Sequence, residues 1–182
     1  MRKYLIGLII VIILFTMYLI YNHNQNPTVE DVFKATENRS QPTKGVYMVS
    51  NIDGEWLTIF RNNQSILLAR LEQNWLGVWE VKDDFGGITP LSSVSYPPEK
   101  NDPFTWSAGG PAGVRSYYFG QILNSDIKKI EVETKRGNFE KALIINAEVS
   151  RFFYIKSEEE VVLPVNIRGF SETGELIYST YN

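Results

Sequence analysis

An unbroken apolar run near the N-terminus constrains this chain more than any other feature. The run reads YLIGLIIVIILFTMYLIY from Tyr4 to Tyr21, and only Met1, Arg2 and Lys3 precede it. An α-helix rises about 1.5 Å per residue, so a helix of these 18 residues would come close to the hydrocarbon thickness of a bilayer. The run therefore predicts one transmembrane helix.

The basic residues around the run predict its orientation. Arg2 and Lys3 precede it, and no Lys or Arg follows until Lys34. Because cytoplasmic flanks carry the excess of Lys and Arg, the N-terminus is expected in the cytoplasm and residues 22–182 on the other side. The predicted location is the cell membrane, with a single pass and an extracytoplasmic C-terminal domain.

The end of the run bears on whether it stays attached. A cleaved signal peptide has a shorter apolar region, about 7 to 15 residues, followed by a site of small residues. Here the run ends in MYLIYNH, in which every residue is bulky or polar. An uncleaved anchor is the favoured interpretation, and a processed, secreted form is the alternative.

The remaining chain is long enough for one domain. We divide it into an anchor over 1–21, a linker with a short helix over 22–44, and an extracytoplasmic β domain over 45–182. Two of the 18 basic residues precede the run, so the outer part carries 16 basic against 21 acidic residues, a net charge of −5. This balance disfavours a nucleic-acid partner, which requires a basic face. With no cysteine, the domain cannot use disulfides.

Residue periodicity predicts a mainly β fold. Thr28 is placed to cap a short amphipathic helix over 29–37, with Val32, Phe33 and Thr36 on one face. From Gly45 onward the periodicity becomes alternating, and about ten strands are expected at spacings typical of a sandwich or barrel. The prediction is an antiparallel, β-sandwich-like (immunoglobulin-like) domain preceded by one transmembrane helix and a short amphipathic helix.

Four local predictions complete the strand assignment. Asp53-Gly54 should form a two-residue hairpin turn, and residues 75–82 should form one strand carrying Trp75, Gly77, Trp79 and Val81 on one face. Residues 139–149 should form a central strand, because LII within it is apolar on both faces. Pro164 should lie at the edge or bulge of a strand over 161–169. The stretch 83–113 is rich in Gly and Pro and reads as a long loop region with short strand fragments.

The C-terminal half carries a family resemblance. Its segments YFGQILNSDIKKIEVE, RFFYIKSEE and GFSETGELIYS resemble those of small membrane-anchored or exported extracytoplasmic proteins of Gram-positive bacilli. The closing hairpin is similar to the last hairpin of many immunoglobulin-like bacterial surface domains. The resemblance implies a location at the cell envelope and transfers no functional residues.

The residue inventory argues against several kinds of catalysis. His23, two residues past the run, is the only histidine, so the domain has no His base for a Ser-His-Asp or Cys-His system and no His or Cys ligands for zinc. We assign no catalytic residue, no metal and no cofactor. Carboxylates alone can still support glycoside hydrolysis or bind calcium, although no EF-hand spacing occurs.

Acidic and aromatic residues in and near the loop region form the candidate site. The carboxylates there are Asp83, Asp84, Glu99 and Asp102. The candidate ligand-binding residues are Trp75, Trp79, Asp83, Asp84 and Trp106. Acids beside aromatic rings are typical of sugar-binding sites. The alternative is that these carboxylates are ordinary surface residues without a ligand.

Two aromatic triplets suggest a further surface. Residues 117–119 read YYF and residues 152–154 read FFY. Neighbouring residues of a strand face opposite sides, and two stacked sheets bury only one face each. Some of these rings are therefore expected to form an exposed aromatic strip for a glycan or protein partner, the alternative being a core with scattered surface rings.

Together these features predict a non-catalytic, membrane-anchored binding or accessory module with an envelope protein or cell-wall glycan as partner. The membrane itself is contacted through Tyr4 to Tyr21. The main alternative is a cell-envelope polysaccharide-active enzyme that uses loop carboxylates. A third possibility is a component of a multi-protein envelope machine, although the run lacks a small-xxx-small seam for helix packing.

Overall fold

Two helices begin the chain in the computed structural model, which describes residues 2–84, 86–99, 101–110 and 115–181. The helices are α1 (Arg2–His23) and α2 (Val29–Thr36). The span Lys3–His23 is long and apolar enough to cross a membrane, and its most apolar window is not buried against the protein. The predicted apolar helix is confirmed, and it continues through Asn22 and His23, which the sequence places in the linker.

The second helix begins at a capping box. The Thr28 hydroxyl accepts from the Asp31 backbone N–H, and the Asp31 carboxylate accepts from the Thr28 backbone N–H at 2.9 Å. Val32 and Thr36 are buried, as their spacing predicts. Phe33, expected on the same face, is instead 41% exposed, because an eight-residue helix against one sheet buries only a narrow stripe.

Thirteen strands follow in the described residues and form three antiparallel sheets. They are β1 (Gly45–Ile52), β2 (Glu55–Arg61), β3 (Ser65–Gln73), β4 (Trp79–Lys82), β5 (Ser92–Ser95), β6 (Ser107–Gly109), β7 (Ser116–Ile122), β8 (Lys129–Lys135), β9 (Asn138–Lys141), β10 (Leu143–Asn146), β11 (Arg151–Ser157), β12 (Ile167–Phe170) and β13 (Leu176–Ser179). The first sheet has the order β1-β2-β3-β4, with β5 also paired to β3. The middle sheet is β10-β11-β7-β6, and the third is β13-β12-β8-β9. The mainly β, antiparallel prediction is confirmed.

The sheets stack into layers that share three apolar clusters. Helix α2 places Val32 against one face of the first sheet, which contributes Phe60, Leu67, Ala69, Leu71 and Val81. The other face of the first sheet packs on the middle sheet through Leu57, Ile59, Ile66, Leu68, Val94, Tyr117, Phe119, Phe152 and Tyr154. Between the middle and third sheets lie Phe104, Tyr118, Ile122, Ile127, Ile130, Val132, Ala142, Phe153, Ile155 and Ile167. The middle sheet is thus covered on both faces.

This third layer overturns the exposed strip expected from the aromatic triplets. Tyr117 and Phe119 face the first sheet, whereas Tyr118 faces the third, and all three are buried. The triplet 152–154 is divided in the same way. Both sets of rings are core, because a sheet enclosed by two others has no solvent face.

Close packing in this sheet requires a glycine at position 120. A Cβ there would lie 1.9 Å from the Thr105 carbonyl oxygen and 2.4 Å from Phe153 Cε1. Glycine therefore lets the segment around Phe104 pair closely with the end of strand β7. Phe104 there makes an edge-to-face contact with Phe153 at 5.8 Å between ring centroids.

Three strand predictions are corrected. The chain from Asn74 to Val78 turns, so Trp75 and Gly77 do not share a strand with Trp79. The segment 139–149 is divided between β9 and β10, which are edge strands of different sheets, since the chain crosses from the third sheet to the middle sheet at Ala142. Pro164 precedes β12, which is shorter than expected.

Candidate functional site

Asp83 organises the loop that follows strand β4. Its Oδ1 accepts from the Gly87 backbone N–H at 2.6 Å, and its Oδ2 accepts from the Thr89 hydroxyl at 2.5 Å. Its own backbone N–H donates to the Gly87 carbonyl. These bonds are typical of an aspartate that stabilises a tight turn. In this arrangement the carboxylate holds the loop in shape.

Asp84 lies between two arginines and a tyrosine. Its Oδ1 is 3.1 Å from Arg70 Nη1 and 3.6 Å from Arg115 Nη1, and it accepts from the Tyr117 hydroxyl at 2.8 Å. Only 9% of the Asp84 side chain is exposed. The carboxylate is therefore almost fully buried and is shared by two cations and a phenol donor, which are charge-assisted contacts.

Burial, reinforced by the hydrogen bond to Asp84, raises the pKa of Tyr117 to about 12. Burial also raises the pKa of Tyr154 on the neighbouring strand. Both phenols are therefore neutral at physiological pH, and the Tyr117 hydroxyl donates to Asp84 rather than acting as a base.

The same network joins the first sheet to the middle sheet. Glu55 on β2 lies 3.7 Å from Arg70 Nη1 and accepts from Lys156 Nζ on β11 at 2.9 Å. Arg70 also donates to the Asp83 carbonyl at 2.6 Å. The cavity of about 180 Å³ beside this network, lined partly by Asp83, Asp84 and Tyr117, is small for a ligand. The arrangement is best suited to holding two sheets together.

Trp79 lines a different and larger depression on the opposite face of the first sheet. A groove of about 820 Å³ runs between the C-terminal end of α2, strand β4 and the loop 88–90. Its apolar lining includes Leu67, Val78, Trp79, Val81 and Ile88, and its polar lining includes Lys34, Asn38, Arg39, Gln41, Asn62 and Glu80. This volume is within the range of ligand sites.

One side of this groove is braced by an arginine. The Arg39 guanidinium donates to the Ile88 carbonyl and lies 5.9 Å from the centroid of the Phe60 ring. Burial lowers the pKa of Arg39 from its ordinary value, and the side chain stays charged at neutral pH. Trp79 itself stands edge-on to Trp56, with ring centroids 6.2 Å apart and an interplanar angle of 70°.

Trp75 lies away from these sites, at the turn between β3 and β4 next to the end of α1. The Asn22 side-chain amide donates to the Leu76 carbonyl at 3.2 Å, and the Gln73 amide donates to the Asn22 carbonyl at 2.9 Å. The Trp75 side chain is 73% exposed. The turn therefore forms a hydrogen-bonded junction with the helix.

Trp106 lies in a further region, separate from the Asp84 network and from the groove. It lines a cavity of about 200 Å³ together with Glu99, Asp102, Phe104 and Tyr178, where the middle sheet approaches the third. Its ring is partly exposed. The acids and rings expected from the sequence do meet here, although Asp83 and Asp84 are elsewhere.

The five predicted residues are thus distributed over four places, and only Asp83 and Asp84 are adjacent. Sequence reasoning missed Arg70, Arg115 and Tyr117 as partners of Asp84. A signal for Arg70 existed, since it is the one cation in the largely apolar strand SILLARLE and such a residue requires a partner when it is buried. The junction of Asn22 with Gln73 carries no comparable signal.

Among the residues that the structure describes, no group of three or more His, Asp or Glu side chains could hold a metal ion. No family model matches the chain, and no curated protein or solved structure matches it.

Proposed function

We propose that this protein is a membrane-anchored extracytoplasmic module that binds an envelope protein and has no catalytic activity of its own. The observation that carries this proposal is the exposed apolar surface of α1, which ends directly on the β domain at the junction of Asn22 with Gln73 and Leu76. A helix of this length and composition is stable in lipid, whereas in water its apolar surface would be exposed unfavourably. Arg2 and Lys3 favour a cytoplasmic N-terminus.

The groove beside α2 is the proposed binding site. Its apolar floor, with Trp79 and Val81, offers burial to side chains of a partner, and the amide of Asn38 on its edge can form hydrogen bonds with backbone groups of that partner. A glycan site would instead favour a ring whose flat face is exposed for stacking. Because Trp79 is only partly exposed and already packs against Trp56, a polypeptide segment fits the groove better than a sugar chain does.

Attachment at the membrane strengthens such a contact. A tether confines the search for a partner to a thin layer and raises the effective concentration, so a weak groove contact is sufficient. Replacing α1 with a cleavable signal should therefore reduce function in a deletion strain. Full function of the freed domain would contradict the role of the anchor.

Photocrosslinking in intact cells tests the groove. Benzoylphenylalanine at position 88, a groove residue that is 69% exposed, should give a discrete protein adduct. The matched control is position 163, where the leucine is 72% exposed and lies outside the groove. A carbohydrate adduct at 88 would support the glycan alternative instead. Equal labelling at both positions, or none at 88, would contradict the proposed site.

One observation favours a second candidate function. Glu99 and Asp102 line the cavity that also contains Trp106 and Tyr178, which is a combination suited to a polysaccharide-active enzyme. If this alternative holds, the purified protein should release reducing sugar from cell-wall material, and the D102N variant should not. Release that persists unchanged in D102N would rule out Asp102 as the essential acid.

A further inference from the structure

We propose that the turn 74–78 between β3 and β4 is a second membrane contact, which places Trp75 in the interfacial layer of the outer leaflet beside α1. The partner is the lipid–water interface of an electrically neutral bilayer. The inference rests on the proposed membrane-spanning role of α1 and goes beyond it, since it assigns lipid as the ligand of Trp75.

The position of the turn follows from its contacts with the helix. Asn22 donates to the Leu76 carbonyl and accepts from Gln73, so the turn is held on both sides of Asn22. Gly77 packs against the same residue, and a Cβ at position 77 would lie 2.6 Å from Asn22 Cβ. The turn is thus in direct contact with the last helical turn of α1.

The length of the helix places this contact at the edge of the bilayer. The span Lys3–His23 has 21 residues, which at about 1.5 Å per residue matches a hydrocarbon core of about 30 Å. The headgroup layer on each side adds about 5 to 8 Å. Asn22 therefore lies where hydrocarbon meets headgroups, and the turn it contacts lies at the same level. Tyr18 and Tyr21 occupy the adjoining helical turn with their rings exposed.

The chemistry of the turn suits this layer. Trp75 is 73% exposed and Val78 is 46% exposed, which is a large apolar surface for the tip of a hairpin. Indole favours the interface because it combines an apolar body with one N–H donor. No charged residue occurs from Gln73 to Trp79, so the turn has no electrostatic preference for anionic lipid.

The turn is also ordered without lipid. Asn74 Oδ1 accepts from the backbone N–H groups of Leu76 and Val78 at 2.9 and 3.1 Å. The Asn74 amide donates to Glu80 at 2.7 Å. Trp75 is therefore presented on a fixed loop, and its insertion requires little ordering. Because Val78 also lines the groove beside α2, this contact would place one end of the groove next to the membrane.

The natural absence of cysteine allows a direct test with single labels. The full chain carrying W75C or, as the matched control, L163C is labelled with nitrobenzoxadiazole and reconstituted into phosphatidylcholine vesicles. We expect blue-shifted emission and several-fold weaker quenching by iodide at position 75 than at position 163. Adding anionic lipid should leave the difference unchanged.

Equal quenching at the two positions in chains that resist alkaline extraction would overturn the membrane contact and leave the anchor intact. Chains released by alkaline extraction would instead contradict the anchor itself. A second variant pair tests the junction. G77A should increase iodide quenching of the label at 75, whereas G54A should not, since both glycines have positive φ but only Gly77 touches Asn22.

Discussion

The middle sheet and the turn around Trp75 contrast in how they use aromatic residues. The middle sheet gathers six rings in two triplets, and every one of them is buried between two other sheets. The turn carries a single tryptophan, which is mostly exposed beside the end of α1. A high density of aromatic residues therefore marks an enclosed layer in this protein. The proposed contact with lipid is made by a lone ring whose position is set by the end of α1.

The largest expected change in unfolding free energy comes from removing one buried ring, and removing the exposed ring provides the comparison. F153A should lower the free energy of unfolding by about 4 kcal/mol, because it opens a cavity between two sheets. W75A should change it by less than about 0.5 kcal/mol, since little packing is lost at an exposed turn. Denaturant unfolding of the full chain in detergent measures both. Similar losses in the two variants would break the contrast.

Loss of the ion pairs that Asp84 makes should have the next largest effect on the unfolding free energy. D84N leaves Arg70 and Arg115 without their shared carboxylate, so we expect a loss of about 3 kcal/mol in unfolding free energy. Asp102 is exposed, and D102N should cost less than about 0.5 kcal/mol. The same unfolding measurement applies. A tolerant D84N variant would mean that the network does not join the sheets.

Alkaline pH provides the smallest of the three tests. Between pH 10 and pH 12 the unfolded chain releases the Tyr117 proton while the folded chain retains it, because the folded pKa is about 12. The folded state then binds more protons, so unfolding free energy should fall with rising pH, by about 2 kcal/mol over this interval. Below pH 10 the contribution of Tyr117 to the unfolding free energy should be fully retained.

Two variants check the origin of this loss. Y117F should weaken the alkaline dependence, with the remainder contributed partly by Tyr154, whose pKa is also raised. W75A should leave the dependence unchanged, since the turn from Asn74 to Val78 has no titratable side chain. An unchanged pH profile in Y117F would contradict the assignment of the proton to Tyr117.

Local signals predicted much of the fold correctly. The Asp53-Gly54 turn forms with positive φ at both residues, as its composition predicts, and Thr28 caps α2 in the predicted way. Both depend on contacts within a few residues. The prediction of one strand over 139–149 was wrong, because neither alternation nor apolarity indicates where a chain leaves one sheet for another.

The candidate site was harder to predict for the same reason. Trp75 and Trp79 were expected on one face of one strand, yet the turn at Gly77 places Trp75 beside the end of α1 and Trp79 in the groove. The sequence predicts a role for Asp84 from its place in a loop, whereas its arginine partners come from β3 and from the chain just before β7. Such partners are distant in sequence, so no local pattern reveals them.

The sequence by itself determined the apolar helix, its flanking charges, the β character of the domain and the exclusion of histidine and cysteine chemistry. These follow from composition and short-range periodicity, which a linear chain displays directly. Tertiary structure decided that a third sheet encloses the aromatic triplets, that Asp84 is an internal ion-pair partner and that Trp75 adjoins the end of α1. Each depends on surfaces that meet only after folding, because burial and pairing are properties of the stacked layers.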